Sequence, residues 1–243
     1  MEPLSREESG EVWRKTKALV LHKVGDVARL QTDSLIISSF IAVAMSGIVD
    51  NYNLVINAVT NFVNIIFNSV ISSFGNLIAT ETKERQYELF QVYRFFASWV
   101  YGFAVTGFFV LLTPLVRIWL GDAWVLPASA VALILIDLYF KGDRIVLSNY
   151  KTAAGVFEQD KYLALIQGGV NLVLSIWLVQ KIGLAGIYVG TVISGLIANL
   201  TKLVIIYRVC FGRSSRSYFA ESLRYAGTVA VLAAGLKLVG NRV

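Results

Sequence analysis

The chain has 243 residues, 56% of them hydrophobic and only 16% charged, with a mean hydropathy of +0.64. Soluble domains run near a quarter charged, so this balance excludes an ordinary water-soluble fold and points to lipid. The net charge of +6 does not indicate nucleic acid, because the basic residues sit in short stretches between apolar runs, where they meet anionic headgroups.

Run length is the stronger signal. A helix needs about 20 mainly apolar residues to cross a hydrocarbon core about 30 Å thick, and several stretches reach that length. Backbone groups in lipid must be satisfied internally, which leaves helices or a closed barrel. The runs here are continuous rather than alternating, so the expected fold class is an all-α integral membrane protein.

The first 16 residues are polar and contain no apolar core of a signal peptide. Seven apolar segments follow, at about 17–44, 47–80, 93–116, 127–147, 163–179, 184–207 and 222–239. The second is unusually long and rich in Asn, and the third carries eight aromatics. The fourth has charges near its end, the fifth and sixth are the most lipid-like, and the seventh is weak. The organisation expected is a polar segment at 1–16, six transmembrane helices over 17–212, and a basic connection with a weak seventh helix over 213–243.

Loop charge orients the chain. Arg14, Lys15, Lys17 and Lys23 flank the first helix; Lys83, Arg85 and Arg94 are assigned to the connection between the second and third helices. Lys151 and Lys161 follow the fourth, and Arg208, Arg213, Arg216 and Arg224 follow the sixth. The opposite loops hold little beyond Arg117 and Lys181. The positive-inside rule then places the N-terminus in the cytoplasm.

Polar residues within membrane helices are costly and usually face a bundle interior or a wet cavity. In the second segment Asn53, Asn57, Asn61, Asn64 and Asn68 fall within an arc of roughly 80°. Amides both donate and accept, so an uncharged ladder of five suits a hydroxyl-rich or amphipathic cargo. The competing reading is hydrogen bonding between helices.

In the first segment His22, Asp26, Arg29 and Asp33 share a face about 60° wide. Arg29 is a candidate phosphate ligand and Asp33 a candidate ion-coupling carboxylate; a structural Arg29–Asp33 pair is the alternative. His22 is expected at the headgroup interface, with Lys23. In the fourth segment Asp137, Lys141 and Arg144 share a face continued by Ser148 and Lys151. An Asp137–Lys141 pair would leave Arg144 without a local partner and its planar fork open to phosphate oxygens; anchoring to headgroups is the bland alternative. Asp143 points away from that face.

No catalytic constellation, cofactor motif or metal-ligand cluster is expected. One His and one Cys (Cys210) supply neither a disulfide framework nor a His/Cys metal site, and no phosphate-binding GxxxxGK[ST] loop occurs. Trp99, Tyr101, Trp119, Trp124 and Trp177 read as interface-belt or packing aromatics.

Several strings carry a family resemblance. LHKVG, TDSLIISSFIAVAMSGIVDNYNLVINAV and FNSVISSFGNLIATETKE in the first two helices are similar to bacterial polysaccharide biosynthesis flippases. So are YKTAAGVFEQDKY after the fourth helix and NLVLSIWLVQKIGLAGIYVGTVIS through the fifth and sixth. These flippases form the polysaccharide transport branch of the multidrug/oligosaccharidyl-lipid/polysaccharide superfamily, and the resemblance covers about residues 17–212. It implies one six-helix lobe, matching the C-terminal lobe, of a two-lobed transporter in the bacterial cytoplasmic membrane. Such a transporter moves undecaprenyl-diphosphate-linked oligosaccharide by alternating access around a partly cationic cavity. The partners implied are membrane lipid, the lipid-linked oligosaccharide, and a missing N-terminal lobe or partner chain, with no nucleic acid.

Asp33, Asn53 and Asn57 stand at matching positions, and Arg144 where the family often carries a basic residue. On this reading the Asn ladder contacts sugar hydroxyls, while Arg29, Lys141 and Arg144 hold the diphosphate. Two other readings stay open: a related cation or drug antiporter lobe built on Asp33, and a non-transporting membrane interaction subunit or inactive remnant.

Overall fold

The structure, a computed structural model, describes residues 32–159 and 162–240, with residues 10, 12, 13, 16, 17 and 20 before them. Every extended element among the described residues is helical. Helix α1 covers residues 32–40, followed by α2 (Val43–Ser69), α3 (Ile71–Thr80), α4 (Lys83–Leu120), α5 (Ala128–Ala154), α6 (Leu163–Ile182), α7 (Leu184–Ile206) and α8 (Arg216–Gly240). A π turn, Tyr207–Phe211, ends α7.

Among the described residues, four helical stretches are long and apolar enough to cross a membrane: Val43–Thr80, Lys83–Leu120, Leu163–Ile182 and Leu184–Phe211. The fourth and seventh segments of the sequence reading form helices α5 and α8; α5 falls outside these four because Asp137, Lys141, Asp143 and Arg144 interrupt its run.

The second segment is two helices rather than one. At Val70 the chain turns, and the Val70 amide bonds back to Phe67 O at 3.4 Å instead of continuing the α-helical ladder. Two distant side chains hold the Phe67 carbonyl: the Tyr93 hydroxyl donates to it at 2.9 Å and Asn149 Nδ2 at 3.0 Å. Asn149 also donates to the Tyr93 hydroxyl at 2.9 Å. Side chains that enter a helix ladder in this way are a recognised cause of kinks.

The third segment starts earlier than its apolar run implies. Thr82 caps α4 by accepting from the Arg85 amide at 3.4 Å, so Lys83, Arg85 and Arg94 lie inside the helix and not in a loop. The connection between α3 and α4 is only two residues long. At about 1.5 Å per residue α4 is roughly 57 Å long, well beyond the hydrocarbon thickness. Its ends carry exposed pairs, Arg85–Glu88 at one and Arg117–Asp122 at the other. Lys151, also assigned to a loop by its charge, is buried inside α5.

Packing runs from α6 onto α7, from α7 onto α5, from α5 onto α4, and from α4 onto α8. The α6–α7 contact is the tightest because α7 is notched. A Cβ on Gly186 would collide with the Leu178 carbonyl, and one on Gly190 would lie 2.5 Å from Ser175 Oγ. Small residues four apart are the usual device for close helix approach in lipid. An aromatic cluster of Phe74, Phe90, Tyr150, Tyr207 and Phe211 closes one end of the core, with ring centroids 4.9–6.2 Å apart.

Helix α8 is docked by Arg94, which is 1% exposed. Its guanidinium pairs with Glu221, donates to Tyr218 O at 2.9 Å and Ser222 Oγ at 2.7 Å, and lies 3.4 Å above the Tyr218 ring. Ser222 in turn donates to Asp143 of α5 at 3.3 Å. Arg94 thus ties three helices together, and Asp143, which points away from the Asp137 face as expected, belongs to this seam.

Two outcomes follow. Gly190→Leu is expected to lower stability by about 2 kcal/mol or more through overpacking, whereas Gly169→Ala, where an added Cβ meets nothing within 4 Å, is expected to be neutral or mildly stabilising; melting in detergent followed by size exclusion separates them. Arg94→Met leaves Glu221 and Asp143 without their cation and should loosen α8 by about 2 kcal/mol, with partial recovery in Arg94→Met/Glu221→Gln. Hydrogen exchange of α8 amides reads this directly.

Candidate functional site

Helix α2 is built with three faces. Val49, Tyr52, Ile56, Thr60, Val63 and Phe67 are buried and share one side. At about 100° per residue, the next side carries Asn53, Asn57, Asn61, Asn64 and Asn68, centred roughly 100° from the buried one. The third side is exposed and apolar, with Leu54, Val59, Phe62, Ile65 and Ile66. The amide stripe continues toward the start of the helix through Asp50 and Ser46, so seven polar residues follow one line over residues 46–68. Sequence reading found the five amides; the two further members extend the same 3–4 spacing.

The stripe looks outward from the described helices. Asn57, Asn61 and Asn68 are exposed, Asn53 and Asn64 are half-buried. One amide is used to bind helices together: Asn64 Oδ1 accepts from the Tyr101 hydroxyl at 2.8 Å. Tyr101, assigned from sequence to belt or packing, is therefore a packing residue that backs the stripe. It also lies over Gly142, where a Cβ would come within 2.5 Å of the ring. Trp99, Trp119, Trp124 and Trp177 are exposed, as a lipid-facing belt requires.

The basic face of α5 is arranged differently from its expectation. Arg144 is not left alone: its Nη2 donates to Asp137 Oδ1 at 2.8 Å, two helical turns away. Lys141 Nζ lies 3.3 Å from the other carboxylate oxygen. Asp137 and Arg144 are 5% and 8% exposed, while the Lys141 side chain is half-exposed. The long arginine stem can reach back seven residues because Gly195 of α7 leaves room for it; a Cβ there would strike Arg144 Nη1. Nη1 is buried and has no hydrogen-bond partner among the described residues. The result is a carboxylate held by two cations, with Lys141 as the one that reaches the surface.

A third cluster joins α1, α6 and α7. Thr191 Oγ1 lies 3.1 and 3.0 Å from the two Asp33 carboxylate oxygens and 3.2 Å from Ile187 O, and accepts from Asn171 Nδ2 at 3.0 Å. One hydroxyl proton can serve Asp33 or Ile187 O, not both. Asn171 is wholly buried and its Oδ1 has no hydrogen-bond partner among the described residues; neither has the buried hydroxyl of Tyr188. Asp33 is thus drawn into a group of oxygens, and Asn171, Thr191 and Tyr188 are functional candidates that sequence reading missed. Their signal was the polar residue inside an apolar run, the same one that marked the amides of α2.

His22, Asp26 and Arg29 lie outside the described residues. No protein-family model matches the chain, and no curated protein or solved structure matches it either.

Thr191→Val is nearly isosteric but removes the hydroxyl between Asn171 and Asp33. It should cost about 1–3 kcal/mol by stranding buried polar atoms, and Thr191→Ser should recover most of it; thermal melting of the purified variants checks both.

Proposed function

We propose that this chain is a transport lobe for undecaprenyl-diphosphate-linked oligosaccharide, acting in a bacterial cytoplasmic membrane with its N-terminus in the cytoplasm. The lobe works by rocking against a second lobe, whether an N-terminal half or a partner chain. The observation that carries this reading is the outward polar stripe on α2. Four of its five amides make no hydrogen bond to another described helix, so they are not spent on holding the bundle together. An unsatisfied amide facing hydrocarbon is expensive, so this line calls for water or a hydroxyl-rich ligand against it.

The charges fit an anionic glycolipid. The Asp137, Lys141 and Arg144 group sums to one positive charge, and Lys141 presents it at the surface. Lys141 is therefore the diphosphate contact of first choice, with Arg144 behind it fixing Asp137 and Arg29 as a further candidate. The sugar hydroxyls meet Asn53, Asn57, Asn61 and Asn68, and Asn64 orients Tyr101. Asp33 supplies ion coupling. Its oxygen-rich surroundings, with Asn171, Thr191 and Tyr188, suit a hard monovalent cation such as sodium.

That cluster also favours a second reading, a related cation-driven exporter of drugs. The two separate in one assay. The chain, with whatever lobe co-purifies, is reconstituted in vesicles holding a fluorescent undecaprenyl-diphosphate oligosaccharide, and accessibility at the far leaflet is followed over time. Lys141→Ala and Asn57→Leu/Asn61→Leu should each slow flipping by tenfold or more, about 1.4 kcal/mol or greater in barrier. Glycolipid flux unchanged in both, beside cation-driven efflux of a lipophilic dye, would favour the exporter.

A further inference from the structure

Helices α4, α5 and α8 meet at the Arg94 seam, and farther along α8 they part around a crevice of about 370 Å3. Its α8 wall is made by Ala226, Ala230, Ala233 and Ala234, whose short side chains leave the space between the helices unfilled. Val229 is the spacer: a Cβ on Gly102 of α4 would lie 2.7 Å from its Cγ2, so α4 and α8 already touch there. Val105 of α4 forms a buried floor, while Ile136 of α5 and Ala230 and Ala234 of α8 are exposed along the mouth. Of the lining residues, only Tyr139 carries a polar side-chain atom.

These walls select their occupant. Apolar cavities stay dry, so water does not fill it. A peptide segment would bring N–H and C=O groups that find no partner there. A helix as long as the alanine wall, about 12 Å, and about 10–12 Å across fills roughly 1,100 Å3, about three times the space. What fits is a slender hydrocarbon, in a volume near the lower end of the roughly 300–1,000 Å3 range of ligand pockets.

Depth and charge name its source. Residues 95–116 of α4 hold no charge, and Val105 stands at the middle of that run, one turn from Gly102 and its contact with Val229. The crevice therefore opens at the level of the hydrocarbon centre. Exposed Arg216, at the start of α8, precedes Ala230 by 14 residues. That is about 21 Å, half of the roughly 40–45 Å that a bilayer measures with its headgroups. A phospholipid whose chain ends in the crevice thus sets its phosphate beside a cation.

We propose that the crevice binds the end of one phospholipid acyl chain, which enters sideways from the bilayer between α5 and α8 and is anchored by its phosphate at Arg216. A polyprenyl tail, far longer than half a bilayer, does not place its end and its phosphate at this separation. The site requires only that α4 and α8 lie in a bilayer, and is independent of what the lobe moves.

The test uses the full chain in phosphatidylglycerol vesicles doped with a phosphatidylglycerol that carries a diazirine at the end of one acyl chain. Adducts formed on irradiation are mapped by peptide mass spectrometry. They should concentrate on the crevice lining, Tyr139 and Val229 foremost, above the level on the exposed apolar residues of α6, Leu172, Val173 and Trp177. Ala230→Leu/Ala234→Leu should fill the space and cut the lining adducts about tenfold, leaving those on α6 unchanged. Arg216→Gln, at an exposed position that leaves the packing intact, should lower them about three- to fivefold, with recovery in Arg216→Lys. Lining adducts no more frequent than those on α6 in the native chain would overturn the site, and so would undiminished adducts in a folded double variant. Their loss to a low mole fraction of unlabelled undecaprenyl phosphate would give the crevice to a polyprenyl tail and overturn the acyl-chain assignment. A null result in the flipping assay leaves this labelling pattern unaltered, so the two readings fail separately.

Discussion

A charge inside a bundle of apolar helices must be answered by another group at close range, and that constraint organises this fold more than apolar contact does. Where helices as apolar as these four lie in lipid, burial of hydrocarbon supplies little drive, because the tails outside are as apolar as the leucines within. Specific polar contacts then decide which helices meet. Arg94 selects α8 through Glu221, Tyr218 and Ser222, and the Asp137–Arg144 pair is seated in the notch that Gly195 leaves in α7. Remove Arg94 and Glu221 loses its partner; remove Arg144 and the buried Asp137 keeps only Lys141, whose side chain is half-exposed.

The small residues of α7 serve the same end. Gly186 and Gly190 bring α6 close enough for Ser175 to donate to Ile187 O and Asn171 to Thr191. Close approach and polar pairing are therefore one design. The Asp33 cluster depends on it, because Thr191 can serve Asp33 on one side only if Asn171 is held on the other.

What could be read from the residues follows from how local each signal is. The amide stripe of α2 was legible because its 3–4 spacing needs nothing beyond one helix, and the long apolar runs were legible for the same reason. The break at Val70 was not, since the groups that hold the Phe67 carbonyl lie 26 and 82 residues further along. Charge alone assigns Arg94 to a loop, whereas it lies inside α4. Its compensation comes from Glu221, 127 residues away, and the Thr82 cap sets the true start of α4. Spacing along one helix gives Asp137 only its i+4 partner, Lys141, and leaves Arg144 alone, whereas both cations reach the carboxylate. A long side chain over a glycine notch reaches seven residues, and that notch belongs to another helix. The Thr191–Asp33 contact, 158 residues apart, could not be seen in either segment by itself.

The three faces of α2 have a mechanical consequence. Its azimuth is fixed from all sides: rolling the helix by a third of a turn would drive the amides into the core, strand each at about 1–3 kcal/mol, and swing Tyr52, Ile56 and Phe67 out. Tilting or sliding incurs no such penalty, because both keep every side facing its own medium. Helix α2 is thus keyed against rolling along Val43–Ser69, and the break at Val70 is held by Tyr93 and Asn149 on the Phe67 carbonyl.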